Sequence, residues 1–177
     1  MRPLRVVVTG SECTGKTSLA TAMARHYDAP LVSEYARCFV RDVGRSPEAG
    51  DVETIARGQL RAEAQCLLAA HDLIVLDTDL LSTVIYSHHY YGECPAWIED
   101  ECARRVPDLY LLAGTHVPWV PDGAQRDRGS RRGEMQDLFQ EALRARGARF
   151  AHVDGPPRDR LRQANGSVGA LRRLARG

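Results

Sequence analysis

Val6-Val7-Val8-Thr9-Gly10-Ser11-Glu12-Cys13-Thr14-Gly15-Lys16-Thr17 decides how the rest of the chain is read. Three valines make a buried strand, two glycines bound a loop, and Lys16-Thr17 opens a helix. Residues 10–17 fill every fixed position of G-x-x-x-x-G-K-[ST], the phosphate-binding loop. Gly10 and Gly15 lack a Cβ, so the backbone can take positive φ and approach an anion closely. The loop N–H groups then converge on a β-phosphate, with the positive end of the helix behind them. Lys16 reaches the β- and γ-phosphates, and the Thr17 hydroxyl ligates Mg²⁺. Ser11, Glu12, Cys13, Thr14 and Ser18 complete the nucleotide-binding segment. The cofactors expected are ATP and Mg²⁺.

Outward from this loop, the chain alternates apolar runs with helical spacing. Leu19, Ala20, Met23 and Ala24 recur on one face before Asp28-Ala29-Pro30. Leu31-Val32 is a short second strand, and a helix runs through Phe39 and Val40. After a turn over 44–50 a long helix spans about 52–70, with Ile55, Leu60, Ala64, Leu67 and Leu68 expected inward. Leu73-Ile74-Val75-Leu76 is wholly apolar, as a central parallel strand covered on both faces should be. Helices follow over 80–91 and from Pro95 to before Pro107, then a fourth strand at Leu109-Tyr110-Leu111-Leu112. The stretch 114–133 is a Gly-, Pro- and Arg-rich lid. A helix over 134–146 sets Met135, Leu138, Phe139 and Leu143 on one face. Phe150-Ala151-His152-Val153 is the fifth strand, and the last helix or helices follow.

Such alternation means parallel pairing with right-handed crossovers. The fold class is α/β, a P-loop kinase fold: a five-stranded parallel sheet in order 2-3-1-4-5, helices on both faces, and the Arg-rich lid. Residues 1–177 read as one kinase domain, a size that supports a substantial core. Net charge is +1, so no strong field points to nucleic acid or a membrane. Lys16 is the only lysine; every other basic residue is arginine. A GC-rich genome accounts for that bias, and it leaves a compact point charge only where phosphate is expected. Cys13, Cys38, Cys66, Cys94 and Cys102 form no CxxC pair, and the six histidines have no zinc spacing. With no signal peptide before the first strand and no apolar run near 18 residues, the expectation is a cytoplasmic protein.

Ligands of open parallel sheets sit beyond the carboxyl ends of the strands. Asp77-Thr78-Asp79 closes the third strand there. Asp77 is placed for Mg²⁺ and its water, or acts as base together with Asp79. Asp79 either meets a substrate hydroxyl or N-caps the next helix. Glu34, Tyr35 and Arg37 follow the second strand, where they define an acceptor pocket or a salt-bridged helix start. In the lid, Arg126, Arg131 and Arg132 would neutralise charge on a transferring phosphoryl group, and Trp119 and Asp122 stand at its entry.

Together these pieces resemble the kinase domain of NadR-type ribosylnicotinamide kinases. The matching residues are Gly10-x-Glu12-x-Thr14-Gly15-Lys16-Thr17, Glu34-Tyr35-x-Arg37, Asp77-Thr78-Asp79, and Pro118-Trp119-Val120-x-Asp122-Gly123 with Arg126. Pro107-Asp108 and Phe139 fit as well, so the resemblance covers nearly the whole chain. It implies ATP-dependent phosphorylation of the ribose 5′-hydroxyl of nicotinamide riboside, with a nucleoside as the small-molecule partner. Multidomain members carry a helix-turn-helix and an adenylyltransferase before the kinase; no HxGH motif occurs here, so neither DNA binding nor dinucleotide synthesis is implied. Characterised members resemble one another in stacking nicotinamide between two aromatics. This chain aligns Ser33 and Gln65 at those places, with Tyr35, Tyr86, Tyr90 and Trp97 available instead. The alternatives are a kinase for another nucleoside or small alcohol, and a regulatory NTP-binding switch.

Overall fold

The computed structural model describes residues 2–117 and 131–174. Five strands form one parallel sheet in the order β2-β3-β1-β4-β5, as the P-loop kinase reading expects. The strands are β1 (Leu4–Thr9), β2 (Leu31–Val32), β3 (Leu73–Asp77), β4 (Leu109–Ala113) and β5 (Phe150–Val153). Between and after them run α1 (Lys16–Tyr27), α2 (Tyr35–Val43), α3 (Val52–Leu68), α4 (Leu80–Tyr91), α5 (Ala96–Arg104), α6 (Arg132–Ala145) and α7 (Pro157–Leu174). A 3-10 turn, Ala49–Asp51, leads into α3. The final segment is one helix. No helix among the described residues is long and apolar enough to cross a membrane.

Every residue of β3 and β4 is buried, which explains their unbroken apolar sequence. Side chains alternate between two cores, one on each face of the sheet. Val7, Ile74, Leu76, Tyr110 and Leu112 face α3, α4, α5 and α6. Val6, Val8, Val75, Leu109 and Leu111 face α1 and α7. Register pairs Val8 with Asp77 and with Leu111, so the carboxyl ends of the central strands finish side by side. That alignment sets the phosphate loop against Asp77.

The structure corrects two helix faces. In α3, Leu68 is 90% exposed and Ala64 is exposed, while Gln59 and Glu63 are buried beside Ile55 and Ala56. Both polar residues are paired: Gln59 Oε1 accepts from Tyr35 N (2.8 Å), and Glu63 lies 2.7 Å from Arg5. A paired polar residue can occupy the inner face at little cost, so apolar spacing alone sets the helix in the wrong phase. In α6, Met135, Phe139 and Leu143 are buried, but Leu138 is 40% exposed. The helix starts at Arg132, inside the expected lid. Trp119, Asp122 and Arg126 lie outside the described residues.

Candidate active site

The loop after β1 has the conformation its glycines allow. Gly10 has φ 128° and Gly15 φ 74°. A Cβ on Gly10 would stand 3.0 Å from Ala113 O, so both space and conformation exclude a side chain there. Cys13, with φ 53°, is also left-handed, an uncommon state outside glycine. The loop carbonyls are drawn toward donors. Ser11 O accepts from Thr14 Oγ1 (2.9 Å) and Lys16 Nζ (2.8 Å). Cys13 O accepts from Arg132 Nη2 (2.9 Å), and Thr14 O from Arg160 Nη1 (2.5 Å). Gln136 bridges the loop to β4, accepting from Ser11 N (3.1 Å) and donating to Ala113 O (3.0 Å).

Lys16 is 6% exposed, and burial holds its ammonium below the ordinary lysine range while Glu34, Asp77 and Glu12 pull it back. A phosphate would complete that partial compensation. Asp77 Oδ2 accepts from Thr17 Oγ1 at 2.6 Å. Its Oδ1 is buried with no hydrogen-bond partner among the described residues, and burial raises the carboxyl above its usual range. A hydroxyl and a carboxylate with an unused inner oxygen form a hard-oxygen donor set of the kind Mg²⁺ takes. Ser18 is exposed on the first turn of α1, and Arg131 is exposed just before α6.

Asp79 caps α4, one of the two roles weighed for it, and also binds a buried phenol. Its Oδ1 accepts from Leu81 N (3.1 Å), capping α4, and its Oδ2 accepts from Tyr110 OH (2.7 Å). Fully buried, its carboxyl is pushed up to about 6, with the Tyr110 bond and Arg5 opposing the burial. Between Asp77 and Asp79, Thr78 has φ 68°, a strained state for a β-branched residue. That kink turns the chain from β3 into α4.

A cleft of about 150 Å³ opens beside the loop. Glu12, Cys13 and Lys16 line it at the phosphate loop, with Glu34 and Arg37 from the segment after β2 and Asp79 and Ser82 from the segment after β3. Tyr86, Tyr90 and Tyr91 of α4 give it an aromatic wall, and Val40, Val52 and Ile55 add apolar lining. Tyr86 and Tyr90 stack with centroids 5.8 Å apart, and Phe139 backs Tyr86 edge-on. Glu34 pairs with Arg37 at 2.8 Å. Tyr35 is not part of this wall: its ring covers Gly58 of α3. Ser33 and Gln65 are exposed, and Trp97 lies away from the cleft under the Arg57 guanidinium (4.3 Å). Sequence reading missed Gln136, Tyr110 and Arg160. Only Arg160 carried a signal, a charge in register with Ala164, Val168 and Leu171 on the inner face of α7.

Comparison with known proteins agrees with this fold. The trifunctional NAD biosynthesis/regulator protein NadR of Salmonella typhimurium is 28% identical over 154 residues, 84% of this chain. The chain spans only 37% of that relative's length. A crystal structure of NadR protein in complex with NR superposes with a TM-score of 0.77 at 24% identity, covering 86% of this chain and 46% of the other. One in complex with NAD and AMP-PNP gives a TM-score of 0.70 at 22% identity, covering 86% and 45%. At those identities the likeness is one of fold. A family model described as an AAA domain, AAA_28, matches residues 5–160, from the start of β1 to the first turn of α7. The phosphate loop, the Asp77-Thr78-Asp79 turn and the five-stranded sheet all fall within that match, and the chain belongs to the AAA_28 family.

Proposed function

We propose that this chain transfers the γ-phosphoryl group of ATP to the ribose 5′-hydroxyl of nicotinamide riboside, giving nicotinamide mononucleotide. One observation carries the reading: the phosphate loop faces a cleft that combines carboxylates with an aromatic wall. A switch that only binds and hydrolyses nucleotide needs no such pocket. NadR from Salmonella, named for NAD biosynthesis, and NadR structures holding NR or AMP-PNP support the same pair of ligands.

The loop N–H groups hold the β-phosphate, and Lys16 exchanges Ser11 O for phosphate oxygens. Thr17 and Asp77 would hold Mg²⁺, which neutralises charge on the β- and γ-phosphates when bound. Asp79 lines the cleft and Asp77 does not, which favours Asp79 for orienting the acceptor hydroxyl and taking its proton. Glu34 suits the other ribose hydroxyls. Tyr86 and Tyr90 offer ring faces to a cationic pyridinium, an attraction worth ~0.5–2 kcal/mol each. In this reading Arg126 and Arg131 serve the phosphates, Arg132 holds the phosphate loop through Cys13 O, and Trp119 and Asp122 serve the acceptor. Residues 1–177 act as one kinase domain, and five cysteines outside any disulfide suit the reducing cytoplasm.

The test incubates the protein with Mg·ATP and, separately, nicotinamide riboside, uridine, cytidine, adenosine and thiamine. Phosphorylation of nicotinamide riboside above the others is expected. Transfer to another compound alone would replace the substrate, and ATP binding without transfer to any would favour the switch.

A further inference from the structure

Arg160 stands where an apolar residue is the ordinary occupant, on the α7 face that buries Ala164, Val168 and Leu171. It is 4% exposed, and its guanidinium spans two loops. Nη1 donates to Thr14 O, and Nη2 donates to Gly114 O at 3.0 Å. A Cβ on Gly15 would stand 2.9 Å from Nη1, so the guanidinium lies against the phosphate loop at its second glycine. Burial depresses the charged form, and nearby Arg132 depresses it further, with Asp154 opposing. A costly buried cation, held by two backbone carbonyls, calls for a return elsewhere.

Peptide geometry supplies one. A trans, planar peptide points its N–H opposite to its C=O. Fixing the Thr14 carbonyl therefore aims the Gly15 N–H, and fixing the Cys13 carbonyl, through Arg132, aims the Thr14 N–H. Arg132 and Arg160 thus hold two successive loop carbonyls, which sets the Thr14 and Gly15 N–H groups on the opposite edges of their peptides, free for an anion.

We propose that Arg160 is a positioning residue for the phosphate loop: from α7 it anchors the Thr14 carbonyl, sets the Gly15 N–H toward a bound β-phosphate, and ties that setting to the loop after β4. This rests on the reading that the loop binds a nucleotide. Arginine suits the task because its rigid fork reaches two carbonyls at once, which an ammonium does not.

Calorimetric titration of the wild type, Arg160→Gln, Arg160→Lys and Val168→Ala with AMP, ADP and AMP-PNP tests it. Losing one charge-assisted contact to the loop should weaken ADP and AMP-PNP by about tenfold or more in Arg160→Gln, with AMP little changed. Arg160→Lys should recover only part of that loss. Val168→Ala, a core substitution on the same helix face, should lower the melting temperature and keep the wild-type ADP-to-AMP ratio. A wild-type ratio in Arg160→Gln, or full recovery in Arg160→Lys, would overturn the proposal while the nucleotide reading stands. Failure of the wild type itself to bind ADP or AMP-PNP would overturn both.

Discussion

Single residues in this site are held by contacts that point to different outcomes on substitution. Lys16→Ala removes a buried cation whose charged form the fold disfavours, so the melting temperature should stay level or rise. Phosphoryl transfer should fall by about 10²-fold or more, because the lysine's charge matters most as the phosphoryl group moves. Activity within a few-fold of wild type, with nicotinamide riboside as acceptor, would remove Lys16 from the mechanism. The cysteines form a second test. Cys13 is partly exposed in the loop, whereas burial pushes the Cys102 thiol up to about 12. A thiol-alkylating reagent at pH 8 followed by mass spectrometry should modify Cys13 and spare Cys102, and Mg·ATP should protect Cys13. Equal labelling of Cys13 with and without nucleotide would separate its thiol from the phosphate site. Residues tied to their neighbours by chain connectivity, such as Gly10, Lys16 and Thr17, were legible from spacing alone. Arg160 and Gln136 were not, because their partners Thr14 and Ser11 lie 146 and 125 residues away, and the one local cue, Arg160 in register with the buried face of α7, names no partner.

At the level of elements, the contact between α2 and α3 sets two familiar effects against each other. Gly58 sits inside a helix, where alanine is ordinarily better by ~0.8–1.0 kcal/mol. Here an added Cβ would fall 2.1 Å from Tyr35 Cε1, and overpacking of that kind costs ~1–3 kcal/mol. Steric conflict should win, so Gly58→Ala is expected to lose up to about 2 kcal/mol in chemical denaturation, the upper end of the difference between those two ranges. A stabilised variant would show that α2 is free to move away. Tyr35→Ala removes the same contact from the other side. It should lower stability, and raise the acceptor KM less than Tyr90→Ala does, since Tyr90 lines the cleft and Tyr35 does not. Apolar runs revealed the strands because both faces of a parallel sheet are covered. The face of α3 was misread because Gln59 and Glu63 reach partners on α2 and β1 that a helical wheel does not include.

Across the whole molecule, the sheet divides two cores, and its central strands hold most of what keeps them apart from water. Leu76→Ala, at a fully buried β3 position, should cost ~2–5 kcal/mol in urea unfolding. Leu68→Ala, on the same sheet face in sequence expectation but exposed in the structure, should stay within about 0.5 kcal/mol. Reversed magnitudes would mean that α3 docks in the other phase. The strand order followed from five alternating strands with the phosphate loop on the first, and the carboxylates from the apolar run they close, whereas the aromatic wall was legible only as two of four candidate rings, since which of Tyr35, Tyr86, Tyr90 and Trp97 line the cleft depends on tertiary packing. One further consequence belongs to Lys16. With a single lysine in the chain, nearly buried and bonded to Ser11 O, the folded protein offers one side-chain amine to an acylating reagent, chiefly while that bond is open. The rate of that one acylation, divided by the rate for a free amine, would report the opening equilibrium of the loop directly, a built-in chemical clock for its breathing.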